Sequence, residues 1–275
     1  MKLGLVTSVY VNYPLEEAIS RVAAAGYDCI DIWGGRPHAY RRDYDRAGLV
    51  GLRNRVAEAG LKVSSFVPAF FRYPHSLSSP NPIVRLDTLD YVRQCADNAA
   101  VLEAEHLLIC PARLLFGQSA ADGWKRLADS LNTVCEYVAQ YPIKIVLEPV
   151  NIAVFDLINT CAEAMRMVHQ LNCTNLGVLL DTGHLYLSRE TIDEALDIVG
   201  ERLFMVHVND NDGRRQQNLI PGDGTFDFAA FFTGLRRRGF DGVVSAELSA
   251  EYTLAPDSPV QETARRLRPW VDGDR

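Results

Sequence analysis

Four ionisable residues stand out because each closes a short apolar run. Glu148 follows Ile145-Val146-Leu147, Asp181 ends the run begun at Leu176, His207 ends Leu203-Phe204-Met205-Val206, and Glu247 ends Val243-Val244-Ser245-Ala246. Carboxylates and imidazoles hold divalent cations, and both also move protons in general acid–base chemistry. Residues two apart in a strand share a face. The inward sets are then Val146/Glu148, Gly177/Leu179/Asp181, Leu203/Met205/His207 and Val243/Ser245/Glu247. In every set the last inward residue is the ionisable one. Carboxylates gather wherever strands meet solvent, which would explain one or two such cases. Four in succession point to a shared site. Three carboxylates and one imidazole make a mostly hard oxygen set, suited to one divalent metal such as Mn²⁺, Mg²⁺ or Co²⁺ rather than a thiolate-bound zinc.

Such a site needs a scaffold that brings four strand ends together. The spacings of 33 (148 to 181), 26 (181 to 207) and 40 (207 to 247) residues each leave room for one βα unit. Apolar runs separated by helical patterns read as parallel strands buried on both faces. Repeated βα units over a chain of this length predict a (β/α)8 TIM barrel, with its chemistry at the C-terminal ends of the strands. Strands are expected at 3–8, Cys29–Trp33, Lys62–Val67, 106–110, 145–148, Leu176–Asp181, 203–207 and 243–247. Helices are expected at 15–25, 45–59, 83–102, 120–140, up to 171 from a cap at Asn159-Thr160, Ile192–Val199, 228–238 and 260–271. Gly26, Gly60 and Gly200 act as helix stops. Two long loops remain. The segment 68–80 carries Phe70, Phe71 and Tyr73, and 209–225 is rich in Asn, Asp and Gly. No linker or low-complexity tract divides the chain, so 1–275 reads as one domain.

A net charge of −7 and a pI of about 5.4 argue against a nucleic-acid surface, which needs basic patches. The run Arg236-Arg237-Arg238 sits at a helix end, where it complements the helix dipole. No run approaches a membrane span, and the amino terminus lacks the length of a signal peptide. Six cysteines without a CxxC pair fit buried free thiols and a cytoplasmic location.

The ring order of the strands gives the site a direction. The strands ending at Glu148 and Glu247 are three staves apart of eight, roughly 135° around the barrel. Two carboxylates on opposite faces of one metal-held substrate suit inversion at a carbon next to a carbonyl. One removes the proton, the other returns one to the far face, and the metal holds the enediolate oxygens between. His184, just past the turn expected at Thr182-Gly183, is open to three roles: a ligand, a hydrogen-bonding partner of the substrate, or a structural loop residue. Trp33, Phe70, Phe71 and Tyr73 are candidates for an apolar wall, with packing of the phenylalanines under their own loop the alternative. His38 and His75 fall in loops at the same end, whereas His106 and His169 belong to the scaffold.

The stretch from Gly26 to Tyr40, containing Asp31-Ile32-Trp33-Gly34-Gly35-Arg36-Pro37-His38, carries a resemblance, as do Ile220-Pro221-Gly222-Asp223-Gly224 and Arg238-Gly239-Phe240-Asp241-Gly242. The whole chain resembles the xylose-isomerase-like barrels that include sugar isomerases, ketose 3-epimerases and endonuclease IV. Within them it is most similar to the fructoselysine, D-tagatose and D-psicose 3-epimerase group. The resemblance implies a metal-dependent sugar 3-epimerase with Glu148, Asp181, His207 and Glu247 as ligands and the two glutamates as acid and base. It implies Mn²⁺ first, with Mg²⁺, Co²⁺ or Zn²⁺ as other occupants, and a homo-oligomer, dimer or tetramer. The free-ketose enzymes carry a further Glu where this chain has Val154. They also carry an Arg where it has Gly213, leaving Arg214 as the candidate sugar contact. An aldose–ketose isomerase or a keto-polyol dehydratase would use the same site. An endonuclease IV-like hydrolase would need further histidines, where Trp33-Gly34-Gly35 and residues 66–70 stand here.

Overall fold

A computed structural model describes residues 1–69 and 74–274. Eight parallel strands close into a barrel in chain order. They are β1 (Lys2–Val6), β2 (Cys29–Trp33), β3 (Lys62–Val67), β4 (His106–Ile109), β5 (Lys144–Leu147), β6 (Leu176–Asp181), β7 (Leu203–Val208) and β8 (Val243–Ala246). β8 pairs with β1 from Lys2↔Val243 to Leu5↔Ala246, which closes the ring. Helices α1 (Leu15–Ala24), α2 (Arg46–Glu58), α3 (Pro82–Val101), α4 (Ala120–Val138), α5 (Cys161–Leu171), α6 (Thr182–Leu187), α7 (Ile192–Val199), α8 (Phe228–Arg237) and α9 (Asp257–Asp272) lie between or after the strands. None of the helices among the described residues is long and apolar enough to cross a membrane.

Local chemistry explains most boundaries. Asp45, Asn81, Ser119 and Asp227 each accept a backbone N–H in the first turn of the helix they precede. Thr160 and Glu163 form a reciprocal capping box at α5. Gly26 has a φ of +84°, a left-handed stop after α1 that a side chain would strain. The first strand is shorter than expected because residues Thr7–Tyr10 turn into a 3-10 helix. Thr182-Gly183-His184 is not a turn. It starts α6, since the Asp181 side chain accepts the His184 N–H at 2.8 Å and caps a helix there.

The core has two parts. One lies between the sheet and its helices. The other fills the lumen with Val6, Cys29, Val67, Leu108, Val146, Leu179, Met205 and Val243. Burying a side chain of this size is worth roughly 1.5–3 kcal/mol. The expected inward set of β7 needs one correction: Phe204, not Leu203, packs with the lumen group. The cause is a register shift, with Val178↔Leu203 followed by Leu179↔Met205, so that Phe204 is the extra residue. Its ring lies against Gly177, where a Cβ would overlap it. Lys144 Nζ sits 4.6 Å from the centre of the same ring. Above the bulge the parity recovers, and Met205 and His207 face inward as expected.

Gly177→Ala should therefore cost about 1–3 kcal/mol, the usual size of an overpacking penalty. Urea unfolding measures it, and Phe204→Leu in the same chain should recover part of the loss. Unchanged stability would show that the ring moves aside freely.

Candidate metal centre

Each clustered side chain is held by the end of a strand. The Glu148 N–H donates to Ile109 O at 3.1 Å and the Glu247 N–H to Val208 O at 3.1 Å, so both residues continue their ladders past β5 and β8. Asp181 and His207 are paired across β6 and β7. One ligand atom from each of Glu148, Asp181, His207 and Glu247 lies within 4.8 Å of the other three. His207 Nδ1 is 3.7 Å from Glu247 Oε2 and 4.0 Å from Glu148 Oε1. Three of the residues are buried, and the Glu247 side chain is 18% exposed, which marks the open side of the cluster.

The partners around the cluster leave it incomplete. Asp181 accepts the His184 N–H on Oδ1 and the Asn209 amide on Oδ2 at 2.6 Å. Asn209 is locked in turn by Thr182, whose hydroxyl donates to Asn209 O and accepts its N–H. The Cys110 thiol points at Glu148 Oε2 from 3.7 Å. Glu148 Oε1 and both ring nitrogens of His207 are buried with no hydrogen-bond partner. Buried polar atoms are normally satisfied, so these orphans ask for an occupant.

Charge makes the same demand. Burial pushes the Glu148 carboxyl well up, and the Glu247 charge adds to it against the pull of His207. Burial also raises Asp181, which the nearby His184 opposes. For Glu247, burial pushes up, but the contact with His207 and that ring's charge win and hold it below the ordinary value. His207 is raised well above its usual value although burial works against it, because Asp31 and Glu247 stabilise the charged ring. Three carboxylates and an imidazole, crowded, buried and short of partners, fit one divalent cation.

The other expected residues divide. His184 is buried beside the cluster, and its Nδ1 is 2.9 Å from Asn151 Nδ2. The Ala153 N–H donates to Asn151 Oδ1 at 3.1 Å, which fixes the amide so that its nitrogen faces the ring. His184 Nδ1 is thus an acceptor, and the proton sits on Nε2. Trp33 is half-buried at the end of β2 and packs with the lumen group. Arg214 is exposed on the 209–225 loop. Phe70, Phe71 and Tyr73 lie outside the described residues. His38 is scaffold rather than pocket: it is buried, with ring nitrogens 3.0 Å from Thr7 Oγ1 and 3.1 Å from Tyr10 O. His75 is also buried, its ring stacked on Tyr91 at 4.0 Å. His106 sits at the far end of the barrel, at the start of β4, with Nδ1 2.9 Å from Ser64 O.

Several residues at the site were not singled out from sequence. Asp31 is fully buried, with Oδ2 3.3 Å from His207 Nε2. The signal was available, because Cys29, Asp31 and Trp33 share a strand face, the same parity used for the later strands. Asp210 accepts four backbone N–H groups, from Asn211, Gly222, Gly224 and Phe226, and folds the 209–225 loop around itself. Asn151 and Asn209 carry no pattern that distinguishes them from ordinary loop asparagines.

Comparison with known proteins identifies the family to which this fold belongs. A family model described as xylose isomerase-like TIM barrel matches residues 19–270. Fructoselysine 3-epimerase of Escherichia coli O157:H7 is 25% identical over 274 residues, covering 100% of both chains. Ketose 3-epimerase of Arthrobacter globiformis is 24% identical over 282 residues, covering 100% of this chain and 92% of the relative. A crystal structure of D-psicose 3-epimerase in the presence of D-fructose superposes with a TM-score of 0.85 at 19% identity, covering 98% of this chain and 99% of that one.

The raised Glu148 carboxyl has a consequence for stability. A carboxyl that holds its proton more tightly folded than unfolded makes the fold lose stability as pH rises past the ordinary carboxylate range. In chelator, unfolding free energy should decline over that window, and Glu148→Gln should flatten the decline. Excess Mn²⁺ should stabilise the wild type by RT ln(1 + [L]/Kd), ~2.7 kcal/mol at a hundredfold excess over Kd. A pH slope identical in both proteins would refute the assignment.

Proposed function

The chain belongs to the xylose isomerase-like TIM-barrel family, and from that premise we propose that it is a divalent-metal-dependent epimerase inverting C3 of a ketose or ketosamine. The observation that carries this reading is the placement of Glu148 and Glu247. They follow β5 and β8, three staves apart, yet reach the same small volume as Asp181 and His207. Two full-length relatives named as 3-epimerases support the reaction class.

Glu148, Asp181, His207 and Glu247 would hold the cation, Mn²⁺ in our assignment, with Mg²⁺, Co²⁺ or Zn²⁺ as other occupants. A bound cation supplies Lewis-acid polarisation of the substrate carbonyl, which acidifies the neighbouring C–H. The rest falls to the protein. A glutamate on one face takes the C3 proton, and the glutamate on the other face delivers one to the resulting enediolate. Without a cation, burial and the Glu247 charge push Glu148 up while His207 holds Glu247 down, so the two carboxyls sit in unlike environments, as an acid–base pair requires. The reverse reaction exchanges their roles.

His184, with its proton on Nε2, is a hydrogen-bond donor to a substrate oxygen, held by Asn151, which also donates to Gln216 Oε1 at 3.0 Å. Trp33 forms one wall of the mouth and Arg214 contacts the sugar from the loop that Asp210 folds, while Phe70 and Tyr73 are assigned to the sugar from their sequence position alone. The six cysteines are all free, in keeping with a cytoplasmic enzyme. We assign a homo-oligomer, dimer or tetramer.

The test is a panel of ketoses and fructosamines with the Mn²⁺-loaded protein in deuterium oxide. Inversion at C3 with solvent deuterium incorporated there is the expected result. Aldose products would make it an isomerase, and loss of water a dehydratase. Glu148→Gln and Glu247→Gln should each lower turnover by ~10²–10⁴, each still exchanging the C3 proton of one epimer only. Near wild-type inversion by both variants, with metal occupancy verified, would falsify the two-carboxylate mechanism.

A further inference from the structure

Asp31 lies far from the four clustered residues in the chain, yet its Oδ2 comes within 3.3 Å of His207 Nε2. We propose that Asp31 is the positioning residue of the metal centre. It accepts the Nε2–H of His207 and so turns Nδ1 of that ring toward the cation, an inference that rests on the metal-binding reading above.

The geometry around His207 divides cleanly. Glu247 and Glu148 lie on the Nδ1 side, at 3.7 and 4.0 Å, and Asp31 lies on the Nε2 side, at 3.3 Å. An imidazole that gives one nitrogen to a metal carries its proton on the other, and the partner of that N–H fixes both tautomer and ring rotation. Asp31 Oδ2, itself buried without a hydrogen-bond partner, faces that nitrogen at 3.3 Å. The contact is no accident of neighbouring strands. β7 and β2 are separated by β8 and β1, so the two side chains meet across the lumen.

The local backbone is shaped for this contact. β2 and β3 pair as Ile30↔Val63 and then Asp31↔Ser65, which leaves Ser64 as the extra residue of a bulge. Bulges re-aim side chains, and here the Ser64 hydroxyl donates to Asp31 Oδ1. Asp31 is 0% exposed. A buried carboxylate held by one hydroxyl is costly unless a second donor satisfies it. The Nε2–H of a metal-bound His207 is that donor, and Ser64, Asp31 and His207 then form one chain leading to the metal.

Metal affinity and ligand field decide the matter independently of turnover. Mn²⁺ titration followed by electron paramagnetic resonance, and the absorption spectrum of the Co²⁺-loaded protein, are compared for wild type, Asp31→Asn and Ser64→Ala. Unfolding in chelator checks each fold. Asp31→Asn should bind Mn²⁺ about 10–100-fold more weakly and shift the Co²⁺ bands, and Ser64→Ala should lose less in the same direction. A residue that only steadied the fold would lower the unfolding midpoint and leave affinity and spectrum alone. Wild-type affinity and spectrum in Asp31→Asn overturn the proposal. Should that variant not fold, Ser64→Ala decides, and its unchanged affinity and spectrum overturn it equally. A wild-type chain that takes no divalent cation removes the metal-binding reading, and this inference with it.

Discussion

Like charges forced together where water is scarce set the terms for the rest of this molecule. Glu148, Asp181 and Glu247 bring carboxylate oxygens within 4.8 Å of one another and of His207. Two unit charges 4 Å apart interact by about 4 kcal/mol at an effective dielectric constant of 20. Repulsion of that size is relieved by distance, by a proton or by a cation. Distance is closed off, because the barrel is ringed by ladders on every side and each carboxylate sits at the end of a paired strand. A proton or a cation remains, and both serve the chemistry proposed here. The same crowding that suits the site to a cation also pushes Glu148 up, while His207 holds Glu247 down.

Holding charges in place against their own repulsion takes a stiff floor and fixed walls. The floor is the apolar lumen group, which includes Leu179 and Met205, the residues directly below Asp181 and His207 on the same strand faces. Both register shifts in the barrel fall where site residues need them. The one between β6 and β7 inserts Phe204 below His207, and the one between β2 and β3 brings Ser64 to Asp31. The walls are hydrogen bonded: Thr182 to Asn209 to Asp181 on one side, Gln216 to Asn151 to His184 on another. Gln216 belongs to the loop that closes on Asp210, so a buried carboxylate outside the cluster also steadies its rim.

The sequence showed the strand ends clearly because parity works where ladders are regular. Glu148, Asp181, His207 and Glu247 were legible as last inward residues, and the barrel followed from their spacing. Parity failed at Leu203, where one inserted residue reverses the alternation and no residue type announces it. Asp31 was legible by the same rule but stands in a strand without the long apolar run that drew attention to the others. The short helix after Asp181 was hidden because Thr182-Gly183 reads as a turn. Only the capping geometry of the Asp181 carboxylate shows a helix beginning there. Asn151 acts through a pairing 33 residues away in the chain, which no local pattern encodes.

The four clustered residues leave the sugar undetermined, so selection falls to the rim, where this chain departs from the free-ketose enzymes it resembles. Val154, in place of a glutamate, packs with the lumen group as an apolar residue. Gly213, in place of an arginine, has a φ of +72° and lies under the Tyr186 ring, where a Cβ would come within 3.1 Å of ring carbons. A charged side chain has neither the conformation nor the room there. The Tyr186 hydroxyl is also tied to Thr225 Oγ1 at 3.1 Å, which keeps the ring in that position. Two charged contacts of the related sites are thus replaced by apolar and aromatic surface, while the hydrogen bond from His184 remains available. On this reading the chemistry is inherited from the four strand ends. With those two charged positions gone, that side of the mouth offers sugar hydroxyls fewer charged partners, and a buried site discriminates most strongly through the hydrogen bonds it can or cannot complete.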